Sequence, residues 1–432
     1  MSMGPPDHSK RCFLFLQGPH GPFFARLGAA LRRAGAQAFR LGFNPGDEMF
    51  WRGPGYLPYH GSHDTLEATL VDLIHTHGIT DLVCYGSSRP IHQTGLAVAR
   101  SLGLTAHVFE EGYLRPYWIT YERGGANADS PVTNLSLAEM ARALENGAPA
   151  VTEAPDRWGD MRAHMFWGAA YHACLMVGGH KYPAFRPHRQ PGVRREFWLH
   201  LRRLIETPGR AFLRRVATTR IRFSGYPFHL VLLQLAHDAN FLDHGPFPDQ
   251  AAFIDTLFKG FATGAPKHHH LVLKAHPLED GREPLRPLIR DLTRKHGLTG
   301  RVHFVSGGKL ARLLDAARSA VTVNSTSAEQ ALWRALPLKV FGDAVFRRPE
   351  FVSYQSITDF FASPAPPDRE AYLTYRAFLL ATSQVPGGYY GVISRRKLLR
   401  QIPDLMLAPE SPYERMLDRQ NEAGQQHLAL VD

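Results

Sequence analysis

Cysteine is scarce: Cys12, Cys84 and Cys174 are the three in 432 residues, far apart and without a CxxC spacing. That excludes a disulfide framework and a zinc ribbon, and it points to reduced thiols in a cytoplasmic protein. No run approaches the roughly 18 consecutive apolar residues of a spanning helix. The first apolar segment, CFLFL from Cys12, sits in a strand-like pattern with no small-residue cleavage site, so neither a signal peptide nor a membrane span is expected. There is no Walker loop, because the turn containing Gly18, Pro19, Gly21 and Pro22 is not followed by GK[ST], and it is not GxGxxG. P-loop hydrolysis of nucleotides is disfavoured. The consecutive His268, His269 and His270 enter a strand, where neighbouring side chains point apart, so they do not converge on one ion and no metal is expected. Acid is the last shortage: 39 Asp and Glu face 50 Lys and Arg, a formal charge of +11 with a pI near 9.6. Such a balance calls for an anionic partner, which the composition leaves open among nucleic acid, a phosphorylated substrate and an acidic membrane face.

What is present is ordinary globular composition, 44% hydrophobic and 21% charged, in a chain too long for one small core. Two domains are expected. An α/β rhythm opens the chain: strand CFLFL, a Gly-Pro turn, and an amphipathic helix ending at Gly35. A strand at Gln37 to Leu41 precedes a loop from Phe43 to Tyr59. A helix from Asp64 to His77 follows, with Asp64 as N-cap and Glu67 three residues on. The strand Asp81 to Tyr85 runs into a polar turn with Gly86, Ser88 and Arg89, and a helix from Ile91 to Leu102 leads to the strand Ala106 to Phe109. This βαβαβαβ order predicts a Rossmann-like parallel sheet. The last strand ends in Glu110, Glu111 and Gly112. Ligands of such sheets bind outside the carboxyl ends of strands, and consecutive carboxylates there point to opposite faces, so one of the pair suffices to face a ligand. A plain surface pair, or partners for Arg115 and Arg123, is the alternative.

From Pro131 to about Phe223 helical segments replace the alternation. Lys181 to Arg222 holds twelve Lys or Arg against Glu196 and Glu206, interleaved with Phe197, Trp198 and Phe212. An interfacial helix on anionic lipid, an RNA-binding segment and a solvated helical face all fit that composition. The α/β rhythm returns at Tyr226, with a helix at Pro248 to Phe261, the strand LVLKA (Leu271 to Ala275) and then His276 and Pro277. After two further strands comes the polar turn Asn324, Ser325, Thr326, Ser327. Thr326 and Glu329 have capping-box spacing for a helix at Ala328 to Leu336, and hydroxyls with free N–H groups at a helix start also suit phosphate. The expected division is residues 1–130, an N-terminal Rossmann-like domain; 131–225, a basic, mainly helical insert; 226–385, a second Rossmann-like domain; and 386–432, a helical end.

Two such halves describe a GT-B glycosyltransferase, whose active site lies in a cleft between domains. Six segments carry a more specific resemblance: QGPHGPFF from Gln17, GSSRPIH from Gly86, EEGYLRPYWIT from Glu110, LVLLQLAHDAN from Leu230, LVLKAHPLEDG from Leu271 and VNSTSAEQAL from Val323. In these the chain resembles the capsule polysaccharide synthesis and export family, and within it the β-Kdo transferases. The resemblance implies a CMP-activated 3-deoxy-manno-octulosonic acid (Kdo) donor, a phosphatidylglycerol-type lipid acceptor, no cofactor and no metal. It implies a peripheral position at the inner face of the inner membrane, other capsule assembly proteins as partners, and no nucleic acid. Likeness to bacterial sialyltransferase motifs implies catalytic roles for Glu110 or Glu111 and for His276. Gly18, Pro19, Lys274, Pro277, Asn324, Ser325, Thr326 and Ser327 would hold the donor and its phosphate. Gly112, Arg115, Ser88 and Arg89 fall on the acceptor side, and Arg194, Arg195, Trp198, Arg202 and Arg203 face the membrane. The chain departs from the family pattern where Lys274 and Ala275 precede His276, and at His237, Asp238, Ala239. A chain-extending or other CMP-sugar transferase, and a non-catalytic assembly or export component, remain as alternatives.

Overall fold

Short strands buried on both faces are the hallmark of parallel sheets covered by helices, and the chain builds two of them. The computed structural model describes residues 10–114, 118–145, 161–185, 215–236, 239–276 and 283–417, with the single residues 198, 202, 209 and 279. One compact unit comprises Met1–Ile205 with Ala377–Asp432, and the other Glu206–Arg376.

The first unit holds β1 (Cys12–Phe15), β2 (Gln37–Gly42), β3 (Tyr56–Pro58), β4 (Asp81–Tyr85), β5 (Thr105–Glu111), β6 (Trp118–Arg123) and the late strand β12 (Gln384–Pro386). Their order is β12-β6-β5-β4-β1-β2-β3, with β1 to β5 parallel and β6 antiparallel to both β5 and β12. Period-two alternation splits the core. Phe13 and Phe15 pack on one face with Phe23, Phe24 and Phe109, whereas Leu14 and Leu16 pack on the other with Leu82 and Cys84.

The second unit holds β7 (Phe228–Leu232), β8 (His270–Lys274), β9 (Val302–Val305), β10 (Ser319–Thr322) and β11 (Leu338–Val340), all parallel in the order β11-β10-β7-β8-β9. The α/β class with two Rossmann-like sheets is therefore present, the first parallel from β1 to β5 with β6 antiparallel beside them, and the second wholly parallel. In each sheet the strand order reverses beside the first strand, between β1 and β4 and between β7 and β10. A crevice opens at such a switch point, outside the strands' carboxyl ends.

Several expectations need correction. The second unit ends at Arg376 and not at 385, because β12 hydrogen-bonds to β6 and carries the last segment into the first unit. That segment contains a strand as well as helices. The loop from Phe43 to Tyr59 holds a short helix, Pro45–Phe50, capped by Asn44, and the strand β3. Asp64 is not an N-cap: it lies in a 3-10 turn, His63–Thr65, which Tyr59 fastens through Thr65 Oγ1 at 2.9 Å. His229, in the all-buried β7, bonds Ser319 Oγ at 2.8 Å and His269 Nδ1 at 3.1 Å, which explains why His269 faces inward while His270 turns to His303 at 2.9 Å. The three consecutive histidines thus separate. Within 131–225 the described segments include helices Leu137–Glu145 and Met161–Gly178. Among the described residues no helix is long and apolar enough to cross a membrane.

Candidate functional site

In the first unit the turns after β1 and β4 and the end of β5 share one edge of the sheet. Glu110 and Glu111 belong to β5 itself, paired with Thr120 and Ile119 of β6, so the pair ends a hairpin and does not open a free loop. The hairpin requires Gly112: a Cβ there would lie 2.1 Å from the Trp118 carbonyl oxygen. Pleating gives the two acids different neighbours. Glu110 Oε1 accepts the Glu111 N–H at 2.9 Å, and Oε2 accepts Asn127 Nδ2 at 3.2 Å. Asn127 takes the left-handed conformation, φ 58°, to reach it. Glu111 Oε1 accepts the Tyr85 hydroxyl at 3.0 Å. Burial, with the nearby Glu111 charge, pushes the Tyr85 hydroxyl well up, so it stays a proton-bearing donor. The Arg89 guanidinium lies 5.7 Å from the centre of the Tyr85 ring, and the Tyr389 hydroxyl donates to the Glu110 carbonyl at 2.7 Å. Both carboxylates are half-buried, supported and within reach of solvent.

Beside them, Gly18 and Pro19 are buried, and a Cβ on Gly18 would meet the Phe24 ring at 2.4 Å, so Gly18 serves close packing of turn on helix. Gln17 reaches Asp47 Oδ2 at 3.5 Å. Asp47 is a buried hub, accepting Arg40 Nη2 at 2.7 Å, Asn44 Nδ2 at 2.9 Å and the Phe43 N–H at 3.1 Å. His92, fully buried in the helix Pro90–Ser101, forms no hydrogen bond of good geometry at either ring nitrogen, although the backbone of Gly86, Gln17 and Tyr85 lies beside it. Burial, reinforced by Arg89, lowers its pKa to about 3. Sequence reasoning singled out neither His92 nor Asp47. A histidine two residues after a proline-started helix, next to a polar turn, was the available signal for the first.

In the second unit Lys274, Leu232 and Thr322 stand level on the adjacent strands β8, β7 and β10. Neighbouring strands lie about 4.8 Å apart, so Lys274 and Thr322 are separated by roughly 10 Å across the edge. Lys274 is 5% exposed and His276, two residues on, is half-buried. Facing them, Gln234 and Asn324 bond reciprocally: Gln234 Nε2 donates to Asn324 Oδ1 at 2.8 Å, and the Asn324 N–H donates to Gln234 Oε1 at 3.1 Å. This pins the hydroxyl turn at the switch point. Ser325 Oγ lies 2.8 Å from Ser327 Oγ and caps the 3-10 turn Thr326–Ala328.

The capping box expected of Thr326 and Glu329 does not form. Ser325 is the cap, and the Glu329 carboxyl is buried instead, accepting Tyr372 OH at 3.0 Å and Tyr375 OH at 3.4 Å. Burial raises its pKa to about 8. The structure thus brings Lys274, His276 and Asn324 to Ser327 to one edge of the second sheet, and Gly18, Pro19, Ser88, Arg89 and Glu110 to Gly112 to one edge of the first. Arg115, Pro277, Arg194, Arg195 and Arg203 lie outside the described residues. Trp198, at 64%, and Arg202 are exposed. In the first unit the carboxylate pair has the chemistry to take a proton or attack carbon; in the second, taken by itself, the hydroxyl turn, lysine and histidine supply donors of the kind that bind a phosphate.

A family model described as capsule polysaccharide biosynthesis protein matches residues 80–390. The capsule polysaccharide export protein KpsS of Escherichia coli is 30% identical over 393 residues, covering 88% of this chain and 97% of KpsS. The capsule polysaccharide modification protein LipB of Neisseria meningitidis serogroup B is 28% identical over 395 residues, covering 88% and 92%. Among solved structures, the Thermosulfurimonas dismutans KpsC beta Kdo 2,7 transferase aligns with a TM-score of 0.41 at 12% identity, over 92% of this chain and 100% of that one.

Proposed function

The chain belongs to the capsule polysaccharide biosynthesis family, and from that membership we propose that it is a GT-B-type glycosyltransferase moving Kdo from CMP-Kdo onto a phosphatidylglycerol-type lipid. The observation that carries the reading is the supported carboxylate pair at the end of β5, with a hydrogen-bonding tyrosine on one acid and an asparagine on the other. One of the two removes the acceptor proton, or attacks the anomeric carbon if configuration is retained by double displacement. Glu110 takes that role, with Glu111 as the alternative. Lys274, His276 and the hydroxyls of Ser325, Thr326 and Ser327 receive the departing CMP phosphate, where positive charge and donors stabilise the developing anion. A lipid acceptor sets the enzyme at the inner face of the inner membrane, beside other capsule assembly proteins. No cofactor and no metal enter the scheme.

Purified protein incubated with CMP-Kdo and a short-chain phosphatidylglycerol should release CMP and yield a lipid heavier by one Kdo. Glu110→Gln or Glu111→Gln should lower the rate roughly a hundredfold or more. No CMP release would leave an assembly or export component, and release only with a Kdo oligosaccharide would make the protein a chain extender.

A further inference from the structure

On the first unit, the helix Phe23–Arg33 and the helix Val392–Leu399 flank an open cavity of about 570 Å³ lined by Arg26, Arg32, Arg33, Ala29, Ala30 and Leu399. Neither helix contains an acidic residue. Arg32 is held, donating to the Ala38 carbonyl at 3.1 Å and lying over the Trp51 ring. Arg26, Arg33, Arg396 and Arg400 are exposed, and among the described residues none of them has an ion-pair partner.

The second helix adds apolar surface. Its buried side is Arg395 and Leu398. At about 100° per residue, Val392, Ile393, Arg396 and the helical C-cap Arg400 share the opposite face within an arc of roughly 100°. Val392 is 54% exposed and Ile393 84%. Two protruding aliphatic side chains followed by two unpaired arginines along one helix face, beside an arginine-lined cavity, have the chemistry of an interfacial helix. We propose that this surface seats the protein on an anionic lipid bilayer, Val392 and Ile393 entering the headgroup boundary while the arginines meet lipid phosphates. Nucleic acid would match the arginines but not the two outward aliphatics.

The same helix is tied to the carboxylate site. Arg395 donates to the Tyr390 carbonyl at 2.9 Å and to that of Tyr389 at 3.4 Å, and the Tyr389 hydroxyl holds the Glu110 backbone. The helix that would meet the bilayer is thus linked to the end of β5 through Arg395 and Tyr389. The inference does not depend on the reaction proposed above, only on the surface.

Co-sedimentation of the full-length chain with phosphatidylglycerol–phosphatidylcholine vesicles, compared with phosphatidylcholine alone, tests it. Arg396→Glu with Arg400→Glu should weaken partitioning more than tenfold, since each basic residue at an anionic surface is worth about a fivefold effect. Val392→Ser with Ile393→Ser should weaken it severalfold at unchanged charge. Arg290→Glu with Arg294→Glu, an exposed pair in the second unit, changes the net charge equally and should bind as the wild type does. Thermal melts of each variant confirm folding. Equal loss in the control pair, or no loss on removing the aliphatics, overturns the proposal. So does a result in which the arginine variant loses capture of single-stranded RNA but keeps vesicle binding. Kdo transfer to a soluble short-chain acceptor should be unchanged in Arg396→Glu with Arg400→Glu, so failure of the reaction and failure of the docking surface are read separately.

Discussion

Glu329→Gln probes the most unusual group in the second unit. Its carboxyl lies directly after the hydroxyl turn, buried, with Tyr372 and Tyr375 as donors, and burial raises its pKa from 4.5 to about 8. Between those values the folded unit keeps a proton that the unfolded chain has released, so stability falls as pH rises. The contribution is complete below pH 4.5 and gone by about pH 8. At roughly 1.4 kcal/mol per pH unit the loss amounts to about 5 kcal/mol. The amide is neutral at every pH and can still accept from the tyrosines, so the variant should lack this decline. Hydrogen exchange of β10 amides, compared between wild type and variant at the same pH, cancels the intrinsic exchange rates. The protection ratio should move in the variant's favour by between about three and four powers of ten from pH 4.5 to pH 9. A ratio that stays flat with pH would mean that Glu329 is ionised in the folded protein, and the account of its burial would be wrong. The neutral form also suits the proposed function, since a buried negative charge behind Ser325 to Ser327 would oppose the anionic donor proposed to bind there.

Asn324→Ala should cost about 1–3 kcal/mol in urea unfolding, because it leaves the buried Gln234 amide without its acceptor. Gly112→Ala should cost about 3 kcal/mol by the same measurement, since the new Cβ meets backbone at 2.1 Å and the hairpin must shift. His92→Leu should flatten the acid limb of stability. With its pKa lowered to about 3, the folded histidine resists protonation, so wild-type stability present above pH 6.5 drains away as pH falls towards 3, and acid titration followed by circular dichroism should show the variant losing less.

Much of the fold was legible because apolar runs of four or five residues, separated by helices of amphipathic period, leave few alternatives to parallel sheets. The strands β1, β2, β4 and β8 fell within a residue or two of where those runs lie. Asp47 and the short helix it belongs to were missed although their partners are local, but the supports of the two sites share another cause, a partner distant in the chain. Glu110 and Glu111 stood out from their position after a buried run, but their supports, Tyr85, Asn127 and Tyr389, are 26, 17 and 279 residues away from the acids they bond. Glu329 showed capping-box spacing, and that local reading lost to two tyrosine hydroxyls more than forty residues on. Gln234 carried no reading of its own in the sequence, and its role comes from β10, which sets Asn324 opposite it.

The position of the last segment follows from the same logic. β6 runs antiparallel beside β5 and would be left with an unpaired edge, a hazard that sheets avoid by covering or pairing. β12 supplies the pairing from residues 384–386, and Gln384 Nε2 bonds Thr120 Oγ1 at 3.0 Å between them. Glu122, buried on β6, then collects the hydroxyls of Tyr113 at 2.9 Å, Ser130 at 2.7 Å and Tyr413, three donors that offset the cost of burying a carboxylate whose pKa rises to about 7. The residues after 376 therefore do more than decorate the first unit. They complete its sheet, hold the Glu110 backbone through Tyr389, and carry the exposed helix Val392–Leu399, so the carboxylate site and the proposed lipid-facing surface are assembled by one stretch of chain.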